Sequence, residues 1–129
     1  MNYRGTKKSG DRIDKMLGAV SFNNVPQVYA QCDIILKNSI LESFSYPLLE
    51  MMATGGYVVA ARNGGNAEFL KHRVNSLLFN SGEFDKAVSY IEEIVEDEEL
   101  CNTLFENGLA TAKSRDWSLI GDDIYNLYQ

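Results

Sequence analysis

The sequence predicts an α/β fold, a parallel sheet of about four strands flanked by helices, with a helical C-terminal third. Three observations carry this. Short apolar runs alternate with segments of helical pattern over the first eighty residues, the order that builds a parallel sheet, because each parallel strand is reached through a crossover. The runs Asp33–Lys37 (DIILK) and Tyr57–Ala61 (YVVAA) have continuously apolar centres, as strands buried on both faces do. From Glu83 onward the pattern is helical to the end.

Taken in order, residues 1–15 form an irregular basic segment, with a short helix expected somewhere over Lys7–Leu17, and residues 16–129 form one domain. Met16–Phe22 (MLGAVSF) reads as a first strand. Pro26 suits the first turn of a helix over Val25–Gln31, with Asn24 as its cap. DIILK is the second strand, and Cys32 before it is expected to be a small buried hydrophobe. Ser45-Tyr46-Pro47 starts a helix that runs to about Thr54 and stops at Gly55-Gly56. YVVAA is the third strand, Asn63-Gly64-Gly65-Asn66 a tight loop, and Ala67–Lys71 a short helix. A fourth strand runs from Asn75 or Ser76 to Phe79. Helices over about 84–96, 98–113 and 117–128 follow, broken and capped at Asp97 and at Ser114 or Asp116. Trp117, Ile124, Leu127 and Tyr128 are expected to pack a returning helix on the core.

The bulk numbers narrow the function classes. With 129 residues, 45% hydrophobic and 23% charged, the chain is long enough for one globular core. No run approaches the roughly 18 apolar residues that span a bilayer, and the basic start has no apolar stretch of a secretory signal behind it. Cys32 and Cys101 provide neither a disulfide framework nor metal spacing, so a cytoplasmic setting is expected, with contact to the inner membrane face through the basic start as an option. Net charge is −6. Nine of the acids lie between Glu83 and Glu106 against a single Lys86, which argues against nucleic-acid binding.

Glu42 and Glu50 are the main functional candidates. Glu42 falls on the loop leaving a strand's carboxyl end, the rim where ligands bind in open α/β sheets, and Glu50 falls on the helix that follows. A helix N-terminus attracts phosphate, and a carboxylate accepts hydrogen bonds from diol hydroxyls. A ligand carrying both groups, such as a nucleotide-sugar, suits the arrangement. The residues alone leave the plain alternative open, in which both are surface charges. Gly64 and Gly65 allow close backbone approach on the same rim, or make an ordinary turn. Glu68 would sit in the first turn of the next helix, where it could stabilise the dipole. His72, the only histidine, stands in a polar loop with no nucleophile beside it, so no catalytic role is expected for it.

On the stretch VPQVYAQCDIILKNSILESFSYPLLEMMATGGYVVAARNGGNAEFL and the Trp-Ser start of the last helix, the chain resembles the C-terminal, donor-binding half of retaining GT-B glycosyltransferases, the glycosyl transferases group 1. The likeness runs from about Leu17 to Tyr128 and rests on an E-x7-E motif after a buried strand, a Gly-rich loop after the next and a glutamate soon after. It implies a partial Rossmann-like domain that binds a nucleotide-sugar such as a UDP- or GDP-sugar, with no metal and no further cofactor. Glu42, Ser43, Phe44 and Ser45 would hold the donor sugar. Tyr46, Leu48, Glu50, Gly64 and Gly65 would hold the nucleotide, with Glu50 on the ribose diol and backbone N–H groups near Phe44 on the diphosphate. The chain departs from the family where Glu-Gly-Phe-Gly reads Glu42-Ser43-Phe44-Ser45, and where two later glycines align with Arg73 and Ser76.

The family's acceptor-binding domain and the first strand–helix units of its donor domain have no counterpart here. The resemblance therefore implies a donor-binding portion, inactive alone, of an enzyme that transfers a hexosyl group to a glycan or lipid. Arg4, Lys7 and Lys8 are the candidates for remnants of the family's diphosphate grip. A donor-binding subunit of a split glycosyltransferase, a non-catalytic interaction module and a sugar-nucleotide epimerase are the competing expectations. An acceptor-binding partner chain and a homodimer are the expected protein partners.

Overall fold

In the computed structural model of the chain, residues 15 and 17–127 are described. The basic segment and the helix expected over Lys7–Leu17 lie outside these residues except for Lys15 and Leu17, which are in neither helix nor strand. Tyr128 also lies outside them.

The sheet has three parallel strands among the described residues, β1 (Ile34–Lys37), β2 (Tyr57–Ala61) and β3 (Leu77–Phe79), in that spatial order. The register sets Leu36 opposite Val59 and Val59 opposite Leu77. The helices are α1 (Val25–Tyr29), α2 (Tyr46–Ala53), α3 (Phe84–Glu96), α4 (Glu98–Lys113) and α5 (Trp117–Leu127). Val58 and Ala60 face a cluster built on Leu48, Met51 and Met52 of α2 with Phe69 and Leu70. Val59 and Ala61 face the other way, onto Ala87, Tyr90 and Ile94 of α3 and Leu100 and Leu104 of α4. Strand alternation explains the split, and burial on both faces explains the unbroken apolar run.

The expected stops and caps are mostly where the residues place them. Helix α2 ends in a Schellman arrangement: the Gly55 N–H donates to the Met52 carbonyl and the Gly56 N–H to that of Met51, with Gly55 at φ 84°, a region that favours glycine. Asp97 caps α4, its carboxylate accepting from the Leu100 N–H at 2.9 Å. Asp116 accepts from the Ser118 N–H at 2.8 Å at the start of α5. Asn24 does precede α1 but makes no side-chain capping bond.

Four expectations are overturned. The strand over Met16–Phe22 is absent: described residues 17–21 are irregular, and Phe22–Asn24 make a single 3-10 turn. Gly18 at φ 66° breaks the extended run and Leu17 and Val20 are exposed, so the segment does not add to the outer edge of β1, which pairs only with β2 among the described residues. The helix over Ala67–Lys71 is a series of turns. Cys32 is exposed, because β1 starts two residues later. Trp117 is 68% exposed, and Ile124 and Leu127 are exposed as well, so their apolar side chains do not join the core.

One departure from the resembled family has a backbone consequence. Arg73, where the resemblance leads one to expect a glycine, takes φ 60°, a conformation costly to residues with a Cβ. Two hydrogen bonds to Glu93, at 2.7 and 2.9 Å, hold it there, together with the bond from its N–H to the Ser76 carbonyl at 2.8 Å.

Candidate functional site

The carboxyl ends of β1 and β2, at Lys37 and Ala61, release two loops side by side, residues 38–45 and 62–70. They are locked together. Asn63 Nδ2 donates to the Ser39 carbonyl at 2.8 Å. A Cβ at Gly65 would fall into the carbonyl of Glu42, so glycine is what lets the second loop lie against the first. The second loop is braced by its asparagines: the Asn66 N–H donates to Asn63 Oδ1 at 3.0 Å, the Asn63 N–H to Asn66 Oδ1 at 3.2 Å, and Asn66 Nδ2 to the Ala61 carbonyl at 2.8 Å. Paired asparagines three apart satisfy the turn's own backbone, which a sequence scan limited to the glycines misses.

Glu42 sits on this rim, ion-paired with Lys37 at 2.8 Å. Hydrogen bonds from Lys37 and then Ser39 hold its carboxyl below the usual carboxylate range, because both favour the charged form. Lys37 went unnoticed in the sequence, where it reads only as the end of an apolar run.

Glu50 lies elsewhere. It is half-buried on α2 and lines a cavity of about 190 Å³ between α1 and α2, with Phe22, Val25, Pro26, Tyr29 and Thr54. It is the one charged side chain of that lining. The Tyr29 hydroxyl donates to it, and the phenol is pushed up to about 12, first by burial and then by the hydrogen bond and charge of Glu50. Neither Glu42, Gly64 nor Gly65 reaches this cavity.

Phe44 and Tyr46 contact each other edge-on at 4.8 Å, and Phe44 packs on Phe69 at 5.2 Å. Both line a groove of about 340 Å³ with Leu49, Glu68, Arg115 and Trp117. Glu68 has no helix to stabilise and pairs with Arg115 instead. Ser43 and Gly64 are exposed. Ser45 and Leu48 are fully buried, so neither side chain offers surface to a ligand. The Ser45 hydroxyl, one residue before α2, has no hydrogen-bond partner, alone among buried side-chain polar atoms of the described residues. His72 is part of the frame: its Nδ1 accepts from the Leu78 N–H at 3.0 Å.

The nominated residues thus fall in three places around the start of α2: the Lys37–Glu42 rim, the aromatic groove and the Glu50 cavity. The arrangement offers paired charges, helix N–H groups and an apolar recess with one carboxylate. That is chemistry for holding a polar ligand with an apolar end.

Comparison with known proteins gives a consistent result. The family model described as glycosyl transferases group 1 matches residues 13–111. An uncharacterized glycosyltransferase of Methanocaldococcus jannaschii is 30% identical over 115 residues, covering 89% of this chain and 33% of the relative. The N-acetyl-alpha-D-glucosaminyl L-malate synthase of Bacillus anthracis is 31% identical over 93 residues, covering 72% and 24%. The Anabaena HepE protein, solved with UDP, superposes with a TM-score of 0.75 at 33% identity, over 81% of this chain and 29% of that one. It has also been solved with UDP-glucose. The chain spans a third or less of the length of these relatives.

Proposed function

We propose that this chain, which belongs to the glycosyl transferases group 1 family, is a donor-binding portion that holds a nucleotide-sugar and does not transfer it alone. The observation that carries the reading is Glu50, a single carboxylate in an otherwise uncharged recess. A ribose diol donates to such a carboxylate, and the apolar wall beside it suits a base. Glu42 would accept from hydroxyls of the sugar, and the start of α2 would meet the diphosphate with its first N–H groups and dipole. The reading uses no metal. The UDP and UDP-glucose complexes of HepE support a uridine nucleotide as the first candidate.

A second reading, a donor-binding subunit that works with an acceptor-binding partner chain, is favoured by one observation. Phe22, Ile40, Leu41 and, on α5, Trp117, Leu119, Ile124 and Leu127 are exposed, and exposed apolar surface that forms a patch marks docking sites. Free cysteines at 32 and 101 support a cytoplasmic setting. Among the described residues no helix is long and apolar enough to cross a membrane.

Calorimetric titration with UDP, GDP, ADP and their glucose conjugates tests the proposal. One nucleotide should bind selectively, and Glu50→Ala should abolish that binding while costing about 1–3 kcal/mol of stability for the hydrogen bond that Tyr29 loses, a loss that leaves unfolding cooperative. Equal affinity in the variant would remove Glu50 from the site.

A further inference from the structure

We propose that Lys37 is a donor-sugar residue, and that Lys37 and Glu42 act together as a hydrogen-bond donor and acceptor for two adjacent hydroxyls of a hexose. The inference rests on the reading of Glu42 as sugar-binding and adds a residue outside the E-x7-E motif.

Lys37 closes β1, and strand alternation puts its side chain on the face of Ile35, which packs against the α2 cluster. Its ammonium lies 2.8 Å from Glu42 Oε1, and the two side chains are only 20% and 22% exposed. A lysine on this face would more simply run out to solvent. Here it is turned in to the rim, and the loop that carries its partner is fixed from below by Gly65 and from the side by Asn63.

The pair keeps unused hydrogen-bonding capacity. An ammonium has three N–H donors and no acceptor, while a carboxylate has about four acceptor positions. One donor is spent on Oε1, and the other two make no hydrogen bond within the described residues. A vicinal diol presents the complement: one hydroxyl donates to the carboxylate while its neighbour accepts from the ammonium. The two charged heads sit a hydrogen-bond length apart, which matches two gauche oxygens on neighbouring ring carbons. Because Glu42 already neutralises Lys37, the lysine is poorly placed to serve the diphosphate.

The test compares UDP with UDP-glucose on the full chain, its Lys37→Met and Lys37→Arg variants and Glu42→Gln, with unfolding curves to verify the fold. The readout is the ratio of the two affinities. Lys37→Met should lower that ratio roughly tenfold, as expected for a hydrogen bond from a charged group, and leave UDP affinity unchanged. Lys37→Arg should recover part of it. If Glu42→Gln lowers the ratio and Lys37→Met does not, the inference is overturned and the donor-sugar reading stands. If Lys37→Met weakens UDP and UDP-glucose equally, the lysine serves the diphosphate and the inference is again overturned. A ratio untouched by Glu42→Gln, or no binding of either ligand to the unaltered chain, sinks the donor-sugar reading and the inference with it.

Discussion

The two sides of the sheet are built to different standards. On one side, β2 from Val58 onward and all of β3 are buried, enclosed by α2 on one face and by α3 and α4 on the other. On the other side, the outer edge of β1 is unpaired among the described residues, with Leu36 half-exposed and Leu41 of its following loop 91% exposed. The candidate site belongs to the open side in sequence, since Lys37 and Glu42 follow β1, but it is held by the closed side through Asn63 and Gly65. The lesson is that rim geometry here depends on the enclosed strands and their loops, and hardly on the uncovered apolar residues beside it.

Matched truncations are the hardest test of that contrast. Phe79→Ala should cost about 3–5 kcal/mol, as for a fully buried aromatic. Leu41→Ala should stay within about 0.5 kcal/mol. Denaturant unfolding measures both, and a comparable loss at Leu41 would mean that the open side is part of the cooperative core. A smaller effect sharpens the dependence of the rim on the second loop. Gly65→Ala should cost about 1–3 kcal/mol, because its Cβ would meet the backbone of Glu42 and overpacking must be relieved by backbone shifts. Gly64→Ala is the control, since a Cβ there meets nothing within 4 Å. Equal effects at the two glycines would dissolve the contact between the loops as a constraint.

The smallest effect comes from pH. His72 is held below its ordinary value of 6.5, first by burial and then by Arg62, Arg73 and Lys86, with Glu93 opposing. The folded state therefore binds this proton more weakly than the unfolded chain. Its contribution is complete above the ordinary value and declines as pH falls toward the folded one. Thermal midpoints followed from about pH 7 to 5 should show a shallow decline that His72→Gln removes. Glu42 and Glu83, both held below 4.5, add their losses only in more acid solution. An identical slope in the variant would locate the titration elsewhere.

Legibility in the sequence follows the same division. Tyr57–Ala61 as a strand, the stop at Gly55-Gly56 and the breaks at Asp97 and Asp116 were readable because each depends on neighbours in the chain: burial on both faces, positive φ after a helix, a carboxylate on free N–H groups. The strand expected over Met16–Phe22 does not form because Gly18 at φ 66° turns the run out of extended backbone, and the outer edge of β1 stays unpaired among the described residues. Trp117 was misread because an amphipathic pattern says that a helix has an apolar face without saying that anything covers it.

By itself, the sequence determined the order of elements from β1 through α2 and β2 to β3 and the helices after Glu83, the placement of Glu42 on a strand-end loop and of Glu50 on the next helix, and the glycines where the chain turns back. These are local properties, set by periodicity and backbone preference. Only the tertiary structure decided that Lys37 turns in to Glu42, that Glu50 faces Tyr29 in a separate recess, and that Gly65 lies under the Glu42 carbonyl. Such contacts arise where the packing of α2 against the sheet brings distant loops together, and no spacing in one dimension encodes how two loops meet in three.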